Sequence, residues 1–162
     1  MDATDRALIE ALRSNARASW AELGRAVGMS GPSVTDRVQR LEQTGVITGY
    51  HADVEPSAIG LSVAALVGVH LSDTSDQDAV TVALGKLEEV EDCWFVAGDE
   101  SFVLKVRVAD VASLERTLSR LRKIRGVART RTTVVLSTKW ENRFSPPVIM
   151  KDPRGSDPSA PS

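Results

Sequence analysis

The chain has one cysteine, Cys93, and two histidines, His51 and His70, among its 162 residues. A lone thiol cannot close an internal disulfide, and so few soft or imidazole ligands cannot assemble a thiolate zinc site. Zinc chemistry and Cys–His hydrolysis are therefore disfavoured, and a cytoplasmic protein without metal or cofactor is expected. No run approaches the roughly 20 apolar residues of a membrane-spanning helix. Met1 is followed by Asp2, Asp5 and Arg6 rather than by a basic and then apolar leader, so export by a signal peptide is not expected either. Aromatics are only 4% of the chain, which makes Trp20 and Trp94 conspicuous.

The formal net charge is −2, with no overall basic excess to mark a nucleic-acid binder, but the charge is unevenly spread. Residues 1–52 hold six cations against six acids, 53–120 five against 13, and 121–162 nine against three. All six cations of the first segment are arginine, whose planar fork suits phosphate and guanine.

Apolar positions at helical spacing behind start signals predict three short helices before residue 45. Asp2 with Asp5 makes an N-cap arrangement ahead of Leu8, Ile9 and Leu12, and this helix is expected to end near Asn15. Ser19 and Glu22 form a capping box for a second helix with a buried face of Leu23, Ala26 and Val27, stopped by Gly28. Ser30 caps a third, with Pro32 in its first turn, where a missing N–H costs nothing. Val34, Val38 and Leu41 fall at i, i+4 and i+7, and Gly45 ends the run. Residues 46–52 are β-prone but broken by Gly49, the pattern of a short hairpin or wing, and 53–60 read as a linker.

Beyond residue 60 the order is strand, helix, strand, strand, helix, strand. Val63, Ala65, Val67 and Val69 alternate on the first strand (61–71), and Val80, Leu84 and Leu87 give a helical stripe. Strands are expected at 90–97, 102–108 and 127–138, with a helix between the last two capped by Asp110 and carrying Leu114, Leu118 and Leu121. Two βαβ-like halves imply a ferredoxin-like sheet with both helices on one face. Leu66 beside Val67, Phe95 beside Val96 and Val134 beside Val135 put apolar residues on both alternations, so the uncovered face is expected to pack against a second copy. Residues 145–162 contain five Pro and four Ser and are expected to be disordered.

A helix, a tight turn and a helix over residues 1–52 form a helix-turn-helix, whose second member enters the major groove of double-stranded DNA. With Val34, Val38 and Leu41 turned inward, Ser33, Asp36, Arg37 and Arg40 are expected on the opposite, exposed face. Arg37 and Arg40 would reach guanine or phosphate and Ser33 base edges or phosphate. Asp36 would either accept from cytosine or orient Arg40. Ser30 and Pro32 at the helix start complete the candidate DNA-binding set. On spacing alone, a solvated charged face on an ordinary helical bundle competes with this reading.

Leu23, Val27-Gly28-Met29-Ser30, Arg37-Val38, Arg40-Leu41-Glu42 and Gly45 through Tyr50 resemble the amino-terminal domain of the Lrp/AsnC family of transcription regulators. Val96-Ala97-Gly98-Asp99 leading into Val103-Leu104-Lys105-Val106 resembles the family's effector-domain signature. The resemblance spans roughly residues 1–140. It implies an α+β protein with a winged helix-turn-helix domain (1–52) and a ferredoxin-like effector-binding and oligomerisation domain (61–140), between which the linker (53–60) falls; composition adds a disordered tail (141–162). It further implies an amino acid or related metabolite as effector and dimers that assemble into tetramers or octamers. Gly24, Met29 and Glu100-Ser101 depart from the family's common residues, the last affecting which ligand is bound.

Backbone N–H groups of the Gly98-Asp99 turn could hold a carboxylate, the Asp99 or Glu100 carboxylate an ammonium, and Thr130 and Thr132 could add hydroxyls, with Ser101 closing the set. A plain turn between strands is the competing reading. A different class, a sirohaem decarboxylase-like enzyme of the same architecture, would need histidine or arginine in the sheet-side pocket, and His70 is the one histidine of that domain. Trp94 is expected in an interface or core, Trp20 packed in the helical domain, Cys93 buried, and His51 in a surface or hinge role. Arg122, Lys123, Arg125, Arg129 and Arg131 are expected to meet acids of a neighbouring protomer.

Overall fold

The computed structural model describes residues 1–142, so the expected disordered tail lies outside the described residues apart from Glu141 and Asn142. The chain divides into two compact units, one built on Met1–Ala52, with which Trp140 is grouped, and the other Asp53–Lys139.

The first unit is three helices, α1 (Ala3–Ser14), α2 (Trp20–Val27) and α3 (Gly31–Gln43). Their limits follow from side chains that satisfy the unpaired terminal amides. Asp2 and Asp5 cap each other's backbone at α1, Ser19 and Glu22 do so at α2, and the Ser30 hydroxyl accepts from the Ser33 amide at α3. Gly28 ends α2 in the left-handed conformation at φ 68°, a backbone state that side chains disfavour. Leu8, Leu12, Leu23, Val34 and Val38 form the core. Burial of each such side chain contributes about 1.5–3 kcal/mol. Ala26, expected in that core, is exposed, and Gly24 occupies the buried face instead. A Cβ on Gly24 would lie 2.5 Å from the Met29 carbonyl oxygen, so its absence lets the turn close tightly on α2.

No wing is present: among the described residues no strand lies between α3 and residue 63. The amides of Val46 and Ile47 both bond back to the Leu41 carbonyl, at 2.9 and 3.1 Å, and so finish α3 rather than open a hairpin. Ile47 packs on the helical core. The segment expected as a linker contains a 3-10 turn, Pro56–Ile59, closed by Gly60 at φ 82°.

The second unit is β1 (Val63–Leu71), α4 (Gln77–Leu84), β2 (Val90–Phe95), β3 (Phe102–Val108), α5 (Val111–Arg122) and β4 (Val127–Val135). The strand order is β2-β3-β1-β4, every pair antiparallel, as a ferredoxin-like βαββαβ chain requires. Ala65, Val67 and Val69 of β1 and Phe102, Leu104, Val106 and Val108 of β3 share one core with Val80 and Leu84 of α4 and Leu114 and Leu121 of α5, so both helices cover one sheet face. The second and fourth strands end earlier than their apolar runs, at Phe95 and Val135, and Leu87 packs on the core from beyond α4.

The other face is amphipathic rather than continuously apolar. Register puts Phe95 opposite Phe102 and Val134 opposite Ala65, both on the helix side. Leu66 and Val135 do fall on the open face, joined by Trp94 and Val103, but Lys105, Arg107, Arg129 and Arg131 share it. Glu91 bridges two of these, lying 2.9 Å from Lys105 Nζ and 2.9 Å from Arg107 Nε.

Candidate functional site

Around α3 each residue advances by about 100°. Relative to the centre of the Val34, Val38 and Leu41 stripe, Asp36 and Gln43 point nearly opposite, Gln39 and Arg40 lie about 130° away, and Arg37 only about 70°. Asp36, Gln39, Arg40 and Gln43 are exposed accordingly, as is Pro32, while Ser33 and Arg37 are half-buried on a flank. The expectation that Arg37 stands on the exposed face is therefore corrected by helix geometry. Its guanidinium lies 2.6 Å from Asp2 and 2.7 Å from Asp5, and Arg40 lies 3.2 Å from Asp5. Arg40 is thus oriented by Asp5, not by Asp36. Gln39 joins the outward row by the same 100° step, an uncharged amide that does not mark this face in the sequence as Asp36 and Arg40 do.

Asp5 is 2% exposed, so its charge is tolerable only because it is fully partnered. The Asp2 backbone N–H and the Arg37 guanidinium hold its carboxyl below the usual carboxylate range against the effect of burial. Asp2 is lowered by the Asp5 amide and then by Arg37, and Arg37 is raised by Asp2 and Asp5. Arg37 is therefore a strut between α1 and α3. At the other end of α3 the Ser30 and Ser33 hydroxyls are 2.9 Å apart, both at the first turn.

On the second unit, residues 96–101 join β2 to β3, closed by the Val96 amide on the Ser101 carbonyl at 3.0 Å. Ser101 also donates its amide to the Val69 carbonyl at 2.9 Å and accepts from the Leu71 amide at 3.3 Å, which anchors the turn to β1. Gly98 has no positive φ and open space at its Cβ position, so no left-handed turn requires glycine there. Glu100 folds over the open face at Gly68, where a Cβ would come within 2.6 Å of its Cγ, and ion-pairs with Arg131 on β4. Gly68 is thus the gap through which Glu100 crosses β1.

Thr130 and Thr132 are opposite Val69 and Val67, on the helix side of the sheet, whereas Arg131 is opposite Gly68 on the open side. Strand alternation therefore separates both threonines from Glu100, and Arg131 replaces them. Arg131 meets an acid of its own chain, contrary to its expected use against a neighbour, and Arg129 lies 3.5 Å from His70 Nδ1. Cys93 is exposed on the edge strand, not buried. Trp20, at 45% exposure, lies outside the helical core.

An AsnC-type helix-turn-helix domain matches residues 1–42, and an Lrp/AsnC ligand binding domain matches residues 64–143. The HTH-type transcriptional regulator LrpA of Mycobacterium tuberculosis is 42% identical over 88% of this chain and 95% of its own length. Regulatory protein AsnC of Escherichia coli is 32% identical over 90% of this chain and 97% of its own. The chain belongs to the Lrp/AsnC family. Among solved structures, a feast or famine regulatory protein from M. tuberculosis complexed with L-methionine superposes with a TM-score of 0.85 at 42% identity, covering 90% of this chain and 99% of that one. E. coli AsnC does so at 0.82 and 31%, covering 91% and 99%. As an Lrp/AsnC protein the chain is a helix-turn-helix transcriptional regulator, and the decarboxylase alternative is set aside because its relatives of similar length are regulators. No helix among the described residues is long and apolar enough to cross a membrane.

Proposed function

We propose that this Lrp/AsnC regulator acts in the cytoplasm, reading double-stranded DNA with the outer face of α3 and changing its affinity for DNA when an α-amino acid binds at the Gly98–Ser101 end of the open sheet face. Ser30, Pro32, Ser33, Asp36 and Arg40 contact DNA, with Gln39 added by its outward position, while Arg37 holds α3 against α1. The Glu100–Arg131 pair over Gly68 carries the effector reading. A carboxylate and a guanidinium placed side by side match the ammonium and carboxylate of one zwitterion. Gly98, Asp99 and Ser101 lie in the same turn as Glu100 and complete the proposed effector set.

A ligand alters DNA affinity only through a difference in its affinity for two states of the protein. Those states are assemblies. Leu66 at 42% and Trp94 at 47% exposure lie on the open face, and a second copy covering them makes a homodimer that builds tetramers or octamers.

The test is the anisotropy of labelled DNA from upstream of the protein's own gene, titrated with and without each common amino acid. Methionine is tried first because a similar regulator was solved with it. One amino acid should shift wild-type affinity, and Glu100→Gln should abolish the shift while basal binding stays. An equal shift in the variant places the effector elsewhere.

A further inference from the structure

Trp20 is the first residue of α2, and its Cβ lies 3.9 Å from the position a Cβ on Gly31 would take. Gly31 opens α3, so Trp20 leaves the backbone beside the first turn of the recognition helix, and its side chain is 45% exposed and outside the helical core. Arg17, three residues earlier, is also exposed. An exposed tryptophan offers a rigid apolar body with a single N–H donor. In helix-turn-helix docking the recognition helix enters the groove and the helix before it crosses the backbone. A side chain at the start of α2 and against the start of α3 therefore meets the sugar-phosphate strand at the groove's edge.

The α2 terminus itself is not a phosphate site, because Glu22 Oε2 already accepts from the Ser19 amide at 2.7 Å and brings a carboxylate there. Beside Arg17, whose contact with a phosphate would be ionic, the exposed Trp20 adds an apolar body and an uncharged donor. We propose that Trp20 is a DNA-contacting residue, packing on deoxyribose and donating Nε1–H to a phosphate oxygen beside the major groove. The contact is independent of base identity and carries no charge. It rests on α3 being the DNA-reading helix, and its failure is separable from failure of that reading.

Trp20→Ala and Trp20→Phe are compared with wild type on operator and scrambled duplexes over a range of salt. Trp20→Ala should weaken both duplexes about tenfold, as loss of a hydrogen bond with its packing does. The specificity ratio and the salt slope should stay unchanged, since no cation is removed. Trp20→Phe should recover part of the loss. Acrylamide quenching of tryptophan emission keeps the test open if Trp20→Ala fails to fold: in wild type one emitter should become protected on adding duplex, and in Trp20→Phe none. Affinity within twofold of wild type, a loss confined to the operator, or protection that persists in Trp20→Phe overturns the proposal. Protection that rises with protein concentration in the absence of DNA assigns Trp20 to a contact between copies and overturns it as well. No binding of either duplex by wild type removes the DNA-reading assignment itself.

Discussion

Arg37 and Arg40 sit three residues apart on α3 yet hold different places, one half-buried on two aspartates and the other 58% exposed at the rim of the same cluster. Arg37→Ala should lower the melting temperature by several degrees, because it removes the nearer of two guanidinium partners from a buried carboxylate. Arg40→Ala should melt like wild type and lose about 1–3 kcal/mol of operator affinity if it reads a base, or reduce the salt slope by about 1 if it holds a phosphate. Circular dichroism melts and anisotropy on the same two variants separate these outcomes. The cluster also fixes an acid dependence. Asp2 and Asp5 have folded values below the ordinary 3.8, so their stabilisation is present above that pH and is lost as pH falls through the folded values. Melts between pH 5 and about 2 should therefore drop less steeply for Asp5→Asn than for wild type; equal slopes would show that the cluster does not couple to folding. The inward stripe of α3 was legible in its spacing. The same 100° step sets Arg37 only about 70° from that stripe, but its partners Asp2 and Asp5 are far away in the sequence and only the fold brings them to it.

Elements marked by their own ends were the legible ones. Asp2 with Asp5, Ser19 with Glu22, and Ser30 before Pro32 bracket helices through neighbours three residues apart, so local sequence suffices. The missing wing depended on the Leu41 carbonyl claiming two amides that follow it, a choice between local structures that β-propensity does not report. The effector end depends on register across three strands, which decides whether Thr130 and Thr132 or Arg131 face Glu100. A single residue of slip reverses the faces. Gly68 tests this arrangement. Gly68→Ala should leave the fold intact, since the obstructing Glu100 side chain can swing away, but it should break the pair with Arg131. Amino-acid control of DNA binding should weaken while basal DNA affinity stays. An unchanged effector response would show that the pair over Gly68 takes no part in binding.

At the scale of the whole molecule, DNA reading and ligand binding fall on separate units of one chain, and the proposed coupling between them runs through assembly. The open face, with Leu66 and Trp94 exposed among its charges, predicts a solution mass at an even multiple of 17.4 kDa by light scattering at micromolar concentration. A mass of 17.4 kDa itself would contradict the homodimer. The central claim is sequence-specific DNA binding, and anisotropy of DNA from upstream of the protein's own gene, beside a scrambled duplex of equal length and composition at fixed salt, tests it most directly. Binding to the upstream DNA at least about 10³-fold tighter than to the scrambled duplex is predicted; equal affinity for the two would contradict it.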